Sequence, residues 1–364
     1  MKLTFRKRVN SLYSFLLFNL LFIVNLFSQT ESNYFYHNLQ YGSEAQFNPI
    51  NLILNGSYDI IQLEGKNRDI FNRNYYVGFK NVANNLTSPF HHINKFGWKN
   101  FISSEIFPFR FNKTNAQWWP NYQLHLIGGG LTYSKLTEWF SSKGFDYPKS
   151  LAITTTMIYH YLNEVVENEN TIGTNVDPIA DIYIFDIGGI ILFSSDKVKK
   201  FFSEELNLAD WSLQPSFVLN NKNLQNNGQY FSIKWKFPNA ERSYLFYYFG
   251  MNGLTGISYK LDDEHALSAG VGLRAKKLIS VNDKMNKKSV ETSWNYGIFY
   301  DRNNSLLVSL FLSGLTDNFI NINIYPGVIK FGKFTPGIWT IVKRNGSLLF
   351  GISTIYAPGL GISI

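Results

Sequence analysis

The chain between residues 211 and 364 alternates apolar and polar side chains along one predicted strand after another. In the segment 290–300, for example, Trp294 and Ile298 alternate with Asn295. Successive side chains of a strand point to opposite faces, so each predicted strand has one apolar face and one polar face. Short turns join consecutive strands, and residues 345–346 form an Asn-Gly dipeptide typical of type I′ hairpins. These features predict an antiparallel meander.

Bulky apolar side chains such as Trp235 and Phe237 share one face of their predicted strand, and aromatic residues make up 17% of the chain. A lipid-facing strand needs such a face, with a polar interior behind it. Lipid cannot satisfy an open sheet edge, so this interpretation requires closure. We predict a mainly β fold: a closed antiparallel transmembrane β-barrel of about 8–12 strands with a three-helix α insertion. A secreted β-sandwich, whose strands alternate in the same way, is the alternative.

The first residues have the three-part layout of an export signal. Four basic residues precede an apolar run over 12–27, which Ser28 follows. A helix that spans hydrocarbon needs roughly 20 apolar residues. This run is shorter and contains Asn19 and Asn25. We therefore predict a signal peptide over residues 1–28, and an uncleaved anchor helix is the alternative.

Charge and cysteine content exclude several functions. The formal net charge falls from +8 to +4 when the four basic residues of the predicted signal are removed. The other basic residues form no cluster interleaved with aromatics, which argues against nucleic-acid binding. Cysteine is absent, so disulfides, thiolate metal sites and cysteine nucleophiles are excluded.

The remaining domains follow from changes in pattern. Residues 29–120 are predicted to be irregular with a few strands, one of them containing Tyr75, Val77 and Phe79. Residues 211–364 are predicted to form the barrel. Between them, residues 121–210 show helical spacing and form the predicted insertion. It would plug the barrel or pack at its periplasmic mouth.

Three helices are predicted in this insertion. The second begins at Pro148–Ser150, and the third is predicted to have Asp177 as its N-cap and Pro178 in its first turn. The stretch Gly128–Gly130 lacks the spacing of phosphate-binding loops and is interpreted as a tight strand-to-helix junction. The predicted helices cover 131–142, 148–167, and 177 to either 188 or 202.

The insertion also concentrates the ionisable residues that could act together. His160 and Glu164 are four residues apart and share a helix face. Asp181 and Asp186 lie in an apolar run, where a charged group is costly unless it has a partner. The plainer explanation for His160 and Glu164 is an exposed ion pair, and the plainer explanation for Asp177 is a helix cap. The candidate catalytic residues are His125, Glu138, His160, Glu164, Asp181 and Asp186, and the candidate metal ligands are His160, Glu164, Asp177 and Asp181.

A family resemblance rests on this part of the chain. The segment resembles uncharacterised outer-membrane proteins of Gram-negative bacteria, in which a helical segment precedes a barrel. The Asn-rich and Phe-rich composition and the cleavage point before Gln29 are similar to Bacteroidota export. The resemblance implies no activity. Its residues are His125, Gly128, Gly129, Gly130, Tyr133, Glu138, Trp139, Asn163, Glu164, Asp177, Asp181 and Asp186.

Two functions follow as expectations. The first is a non-enzymatic outer-membrane protein with a structural or transport role in the bacterial envelope, whose partners are outer-membrane lipids and not nucleic acid. The alternative is an outer-membrane lipid-modifying hydrolase that uses the His/Glu/Asp cluster. A serine and histidine pair assembled across strands would leave no linear signature and stays open. The sequence assigns no cofactor and no protein partner.

Overall fold

The computed structural model describes residues 33–108, 119–170, 173–282, 287–355 and 358–364. The predicted signal peptide, residues 1–28, lies outside this part of the chain. Within it, contacts divide the chain into a helical unit, residues 74–195, and a sheet unit, residues 34–73 and 196–364.

Helices occupy most of the first half of the described chain. A 3₁₀ turn covers Asp59–Gln62. Four π-helical segments continue or join α-helices: Ile102–Ile106, Trp119–Gly128, Asp181–Asp186 and Phe201–Glu205. The α-helices are α1 Gly42–Ala45, α2 Pro49–Gly56, α3 Tyr75–Thr87, α4 Pro89–Phe96, α5 Trp98–Phe101, α6 Gly129–Ser142, α7 Pro148–Glu167, α8 Asp177–Ala180, α9 Ile187–Phe193 and α10 Asp196–Lys200.

The strands predicted in residues 29–120 are wrong for the described residues 33–108, which contain helices instead. Tyr75, Val77 and Phe79 lie in α3, and the alternation of three residues is too short to separate a strand from a helix. Gly78 in α3 closely approaches the backbone of Val165 in α7, so the absence of a side chain there lets the two helices meet. Val82 and Leu86 bury the same face in the core.

The helices predicted in the insertion are present, but the first covers residues before 131, and the third ends at Phe193 instead of at 188 or 202. α7 begins at Pro148 as predicted, and the third helix runs from Asp177 to Phe193 through its π segment. In the described residues, the first helical path already covers Trp119–Gly128 and continues into α6, so Gly128–Gly130 lie inside it. The predicted strand-to-helix junction at these glycines is therefore wrong.

The sheet unit contains the strands of the predicted meander. The alternation predicts strands at roughly 212–219, 229–237, 243–250, 253–260, 265–274, 290–300, 305–313, 319–331, 336–343 and 347–356. Most of these strands occur close to their expected positions, but three short strands, at 209–210, 223–225 and 359–363, lie outside the predicted spans. The strands are β1 Ala209–Asp210, β2 Ser216–Val218, β3 Asn223–Gln225, β4 Phe231–Lys236, β5 Ser243–Phe249, β6 Asn252–Lys260, β7 His265–Asn282, β8 Lys287–Arg302, β9 Ser305–Ser313, β10 Ile320–Ile324, β11 Gly337–Val342, β12 Leu348–Ser353 and β13 Gly359–Ser363.

The predicted closed antiparallel barrel is wrong. These strands form one 13-stranded sheet in the order β1-β4-β5-β6-β7-β8-β9-β10-β11-β12-β13-β2-β3, with β1 and β3 at its two ends. The pair β13–β2 is parallel, so the sheet is mixed. Both ends belong to one stretch of chain, which folds back on itself: Trp211 N–H donates to the carbonyl of Tyr230 at 2.8 Å. Pairing between such distant segments is set by tertiary contacts and not by local alternation.

The two faces of the sheet differ in polarity, and the apolar side chains lie on the exposed face. On β8, Trp294 and Ile298 are exposed, whereas Asn295 between them is fully buried. On β10, Ile322 is exposed, whereas Asn321 and Asn323 on either side of it are buried. The alternation read from the sequence is therefore correct, but the polar side chains lie on the buried face.

Residues 34–73 cover part of that buried face. Gln46 donates its Nε2 to Ser353 Oγ at 2.6 Å, and Asn55 donates its Nδ2 to the carbonyl of Leu213 at 3.0 Å. Tyr230 donates its hydroxyl to Gln62 Oε1 at 2.6 Å. Beside these bonds lies an aromatic core that includes Trp211, Phe246, Tyr248 and Phe299. Within the sheet unit, this N-terminal segment therefore packs against the polar side of the strands.

Candidate functional site

Three helical segments of the helical unit bring five ionisable side chains together. His125 lies on the π-helical segment Trp119–Gly128. His160 and Glu164 lie one turn apart on α7, and both are buried. Asp181 and Asp186 are the first and last residues of the π-helical segment Asp181–Asp186, and both are buried.

The π-helical winding explains how Asp181 and Asp186 reach the same place. In an α-helix, residues five apart point in clearly different directions, because a turn contains 3.6 residues. A π-helix closes its hydrogen bonds between residues five apart, so its turns are wider and such residues lie near one face. π segments occur frequently at functional sites. Both aspartates therefore face His125.

His125 is the centre of the cluster. Its Nδ1 lies 2.8 Å from Asp186 Oδ1 in a hydrogen bond, and its Nε2 lies 3.6 Å from Asp181 Oδ2. His160 Nε2 lies 3.3 Å from the same Asp186 oxygen. The ring centroids of the two histidines are 4.9 Å apart.

Two overlapping sets of metal-ligand atoms result from this arrangement. One set contains His125, His160 and Asp186, and the other contains His125, Glu164 and Asp181. The ligand atoms of each set lie within 4.8 Å of one another, and every member is buried. Imidazole nitrogen and carboxylate oxygen are donors that suit Zn²⁺, Mn²⁺ and Fe²⁺.

Glycines make this close approach possible. A Cβ atom on Gly129 would lie 3.0 Å from His160 Nε2, so a larger residue there would press on the cluster. Gly130 faces the ring of Phe193 in α9, and Gly189 in α9 faces backbone atoms of residues 125–130. The glycine-rich stretch therefore serves helix crossing, which places His125 against the aspartates.

Burial shifts the protonation of the acids. Burial raises the pKa of Glu164 and Asp181 well above the usual carboxyl range, and the nearby carboxylate of Asp177 raises both further. Burial also raises the pKa of Asp186, although the charge of His125 opposes that shift. Burial therefore favours the protonated, neutral forms of Glu164 and Asp181 when no metal is bound.

The two histidines differ from each other. Burial lowers the pKa of His160 well below its usual value, and the charge of His125 lowers it further, so His160 is neutral. Burial also acts to lower the pKa of His125, but the charge of Asp186 and its hydrogen bond outweigh burial and raise that pKa. His125 is thus the one imidazole of the pair that its surroundings favour as a cation.

Several atoms in the cluster have no hydrogen-bond partner among the described residues. They are Asp181 Oδ1, Asp186 Oδ2 and His160 Nε2, all of them buried. A buried polar atom without a partner costs roughly 1–3 kcal/mol, and more when it is charged. A cation among these atoms would offset that cost.

The structure brings together five of the candidates named from the sequence, namely His125, His160, Glu164, Asp181 and Asp186. Glu138 is buried on α6 and lies outside both ligand sets. Asp177 is likewise outside them.

Asp177 also differs from its predicted role as an N-cap. It is the first residue of α8, and Val176 occupies the N-cap position. Asn175 instead accepts the N–H of Asp177 through Oδ1 at 3.2 Å.

Sequence reasoning missed Glu105, which is buried on the π segment Ile102–Ile106 and raises the pKa of Asp181. An acid within the largely apolar stretch 101–108 was the signal that could have identified it.

Within the described residues, no single helix is long and apolar enough to cross a bilayer; the segments Asp177–Phe193 and Asp196–Glu205 pass that test only as a pair. No family model, curated protein or solved structure matches this chain. The resemblance to Bacteroidota outer-membrane proteins therefore stays a prediction.

Proposed function

We propose that the helical unit is a divalent-metal-dependent hydrolytic centre, with His125, Glu164 and Asp181 as its metal ligands. The observation that carries this proposal is the convergence of five buried ionisable side chains from three helical segments. Of the two functions expected from the sequence, this convergence favours the lipid-modifying hydrolase. The structural or transport role stays a prediction.

The hydrogen bond of His125 selects between the two ligand sets. A carboxylate only accepts hydrogen bonds, so the His125 nitrogen bonded to Asp186 at 2.8 Å carries the proton. The lone pair of neutral His125 is then on Nε2, which faces Asp181 at 3.6 Å. A carboxylate that orients a metal-binding histidine in this way is common around metal centres. We therefore assign Asp186 the role of orienting the imidazole ring, and His125 Nε2 the role of binding the metal.

A metal ion matches the charge of the site better than protons do. The three carboxyl groups are buried, and after burial itself the largest influences on the pKa of Glu164 and Asp181 are the charges of other carboxylates. Each group must hold a proton or meet a cation, because an unpaired buried carboxylate is costly. A divalent ion would replace protons on Glu164 and Asp181 and make their anionic forms stable.

The number of ligands favours catalysis over a purely structural metal. Structural zinc sites are closed by four protein ligands, whereas catalytic sites use three and leave a position for water or substrate. A metal ion at such a position lowers the pKa of water and polarises an ester or phosphoester oxygen. We assign to neutral His160 the role of accepting a proton from that water. Lipid esters and phosphoesters are the substrate class we assign.

Metal binding and hydrolysis are tested with the full chain. The protein is stripped with a chelator, titrated calorimetrically with Zn²⁺, Mn²⁺, Mg²⁺ and Ca²⁺, and assayed on an acyl ester, a phosphodiester and phospholipid vesicles. We expect one ion per chain and hydrolysis that requires it. Glu164→Gln and Asp181→Asn should lose both, and the exposed Asp146→Asn in the same unit should keep both. Equal hydrolysis by all of these proteins, or no bound ion, would refute the proposal.

A further inference from the structure

The exposed face of the sheet has a composition that water does not favour. On β8 the side chains of Trp294 and Ile298 are 44% and 49% exposed, whereas Asn295 between them is 0% exposed. A sheet of a water-soluble protein with one solvated face shows the opposite arrangement, with apolar side chains packed on the core. We call the exposed side of strands β4–β13 the apolar face.

The apolar face continues across the sheet and is not a local patch. The strands from β4 to β13 are neighbours in the order of the sheet. Large apolar side chains are exposed along this series, with Trp235 on β4, Ile257 on β6, Val271 on β7, Ile298 on β8, Ile322 on β10 and Leu360 on β13. The largest apolar patch on a typical soluble monomer covers only about 300–600 Å².

Charged residues mark the limits of this face along β7. On β7 the exposed apolar positions run from Leu267 to Leu273. These six steps of a strand span about 20 Å. Before them lies the exposed acidic turn 262–264, and after them Lys276 pairs with Glu291 at 3.1 Å. Lipid-facing bands of membrane strands are about 25 Å tall, so the apolar stretch of β7 is shorter than such a band but comparable to it in scale.

We propose that the apolar face lies in the hydrocarbon core of a lipid bilayer. A second copy of the chain is a poorer occupant, because neighbouring strands twist by roughly 20–25° and ten strands turn the face through about half a revolution. A rigid partner covers one side of such a surface, whereas fluid acyl chains follow all of it.

The backbone at the ends of the sheet is compatible with this environment. β1 and β3 are only two and three residues long. Beyond the ladder, Leu224 N–H on β3 donates to the carbonyl of Arg68 at 2.9 Å. Both end strands belong to the stretch 209–225, whose Leu213 N–H donates to the carbonyl of Gly228 at 3.0 Å. This proposal uses the sheet unit alone and does not depend on the metal centre.

The absence of cysteine allows a direct test, because an introduced thiol is unique. Val271→Cys on the apolar face and Asp263→Cys in the acidic turn are each spin-labelled in the full chain, in phosphatidylethanolamine and phosphatidylglycerol vesicles. We expect the label at position 271 to be accessible to oxygen and shielded from a water-soluble nickel complex. The label at position 263 should show the reverse.

Two outcomes would overturn the proposal. A label at position 271 that the nickel complex reaches would place the apolar face in water. A label at 271 that neither reagent reaches, together with a doubled mass, would identify a second copy as the occupant. As an independent measurement, Val271→Arg should lower partitioning into vesicles about tenfold or more. Its matched control Asp263→Arg should leave partitioning unchanged, and an equal effect of both changes would count against the proposal.

Discussion

Replacing Asp186 by asparagine separates a metal-centre role from a structural ion pair. The amide keeps the shape of the carboxyl group and can still accept the proton of His125 Nδ1, which lies 2.8 Å away. It removes a fully buried negative charge whose Oδ2 has no hydrogen-bond partner among the described residues. His125 can release its proton in response, so no uncompensated charge remains. We therefore expect the metal-free variant to unfold with a free energy within about 1 kcal/mol of the wild type.

The metal-bound protein should respond differently to this change. A ligand present at 100 times its dissociation constant stabilises the folded state by about 2.7 kcal/mol. Loss of a carboxylate that orients a metal-binding histidine weakens metal affinity roughly 10–100-fold. At the same free metal concentration, the variant would then gain only about 0.4–1.4 kcal/mol. The variant thus keeps its stability but loses most of its response to metal.

Urea denaturation followed by circular dichroism, with and without Zn²⁺, measures both quantities, and Asp146→Asn is the control for the same chemical change at an exposed site. If His125 and Asp186 form only a structural ion pair, removal of one partner should cost about 3–5 kcal/mol in the metal-free protein. That result, combined with an unchanged response to Zn²⁺, would refute the reasoning.

Three further predictions concern pH, packing and water. Burial raises the pKa of Glu164, Asp181 and Asp186, so the folded metal-free protein holds protons that the unfolded chain releases. Its melting temperature should therefore fall as pH rises above about 4.5, and Zn²⁺ should reduce that slope; a rising melting temperature would contradict this sign. Gly130→Ala should cost about 1–3 kcal/mol in urea denaturation, because the added methyl group meets the Phe193 ring, and a neutral effect would show that the helices can separate. A crystal structure should show one water in the cavity of about 20 Å³ lined by Gln46 and Asn51, whose Oε1 and Oδ1 have no other partner among the described residues.

The strands could be predicted from the sequence because a period of two is a local property. The predicted strand 290–300 lies within β8, and the predicted strand 305–313 coincides with β9. What the sequence could not give is the partner of each strand at long range. The parallel pair between β13 and β2 joins residues more than a hundred positions apart, and no local pattern specifies it. The alternation itself does not predict closure into a barrel. That prediction came from the assumption that the strands are surrounded by lipid, which cannot satisfy an open sheet edge.

The site was predicted to the extent that it follows α-helical spacing. His160 and Glu164 were paired correctly because four residues make about one turn of an α-helix. Asp181 and Asp186 were suspected only from their cost in an apolar run, since their shared direction depends on a π-helical segment that a period of 3.6 cannot reveal. The role of Gly129 against His160 was also hidden, because it requires knowledge of which helices cross.

Each of the two units has a feature that a different ligand would stabilise. The helical unit buries acids that a cation would stabilise, whereas the sheet unit exposes apolar side chains that acyl chains would cover. All the assigned metal ligands lie between residues 125 and 181, and the apolar face lies on strands β4–β13. We therefore expect Asp186→Asn to leave the accessibility of a label at Val271 unchanged, and Val271→Arg to leave Zn²⁺ affinity unchanged in detergent. A change in either cross-measurement would mean that the metal centre and the lipid surface are coupled, and each proposal would then have to account for the other.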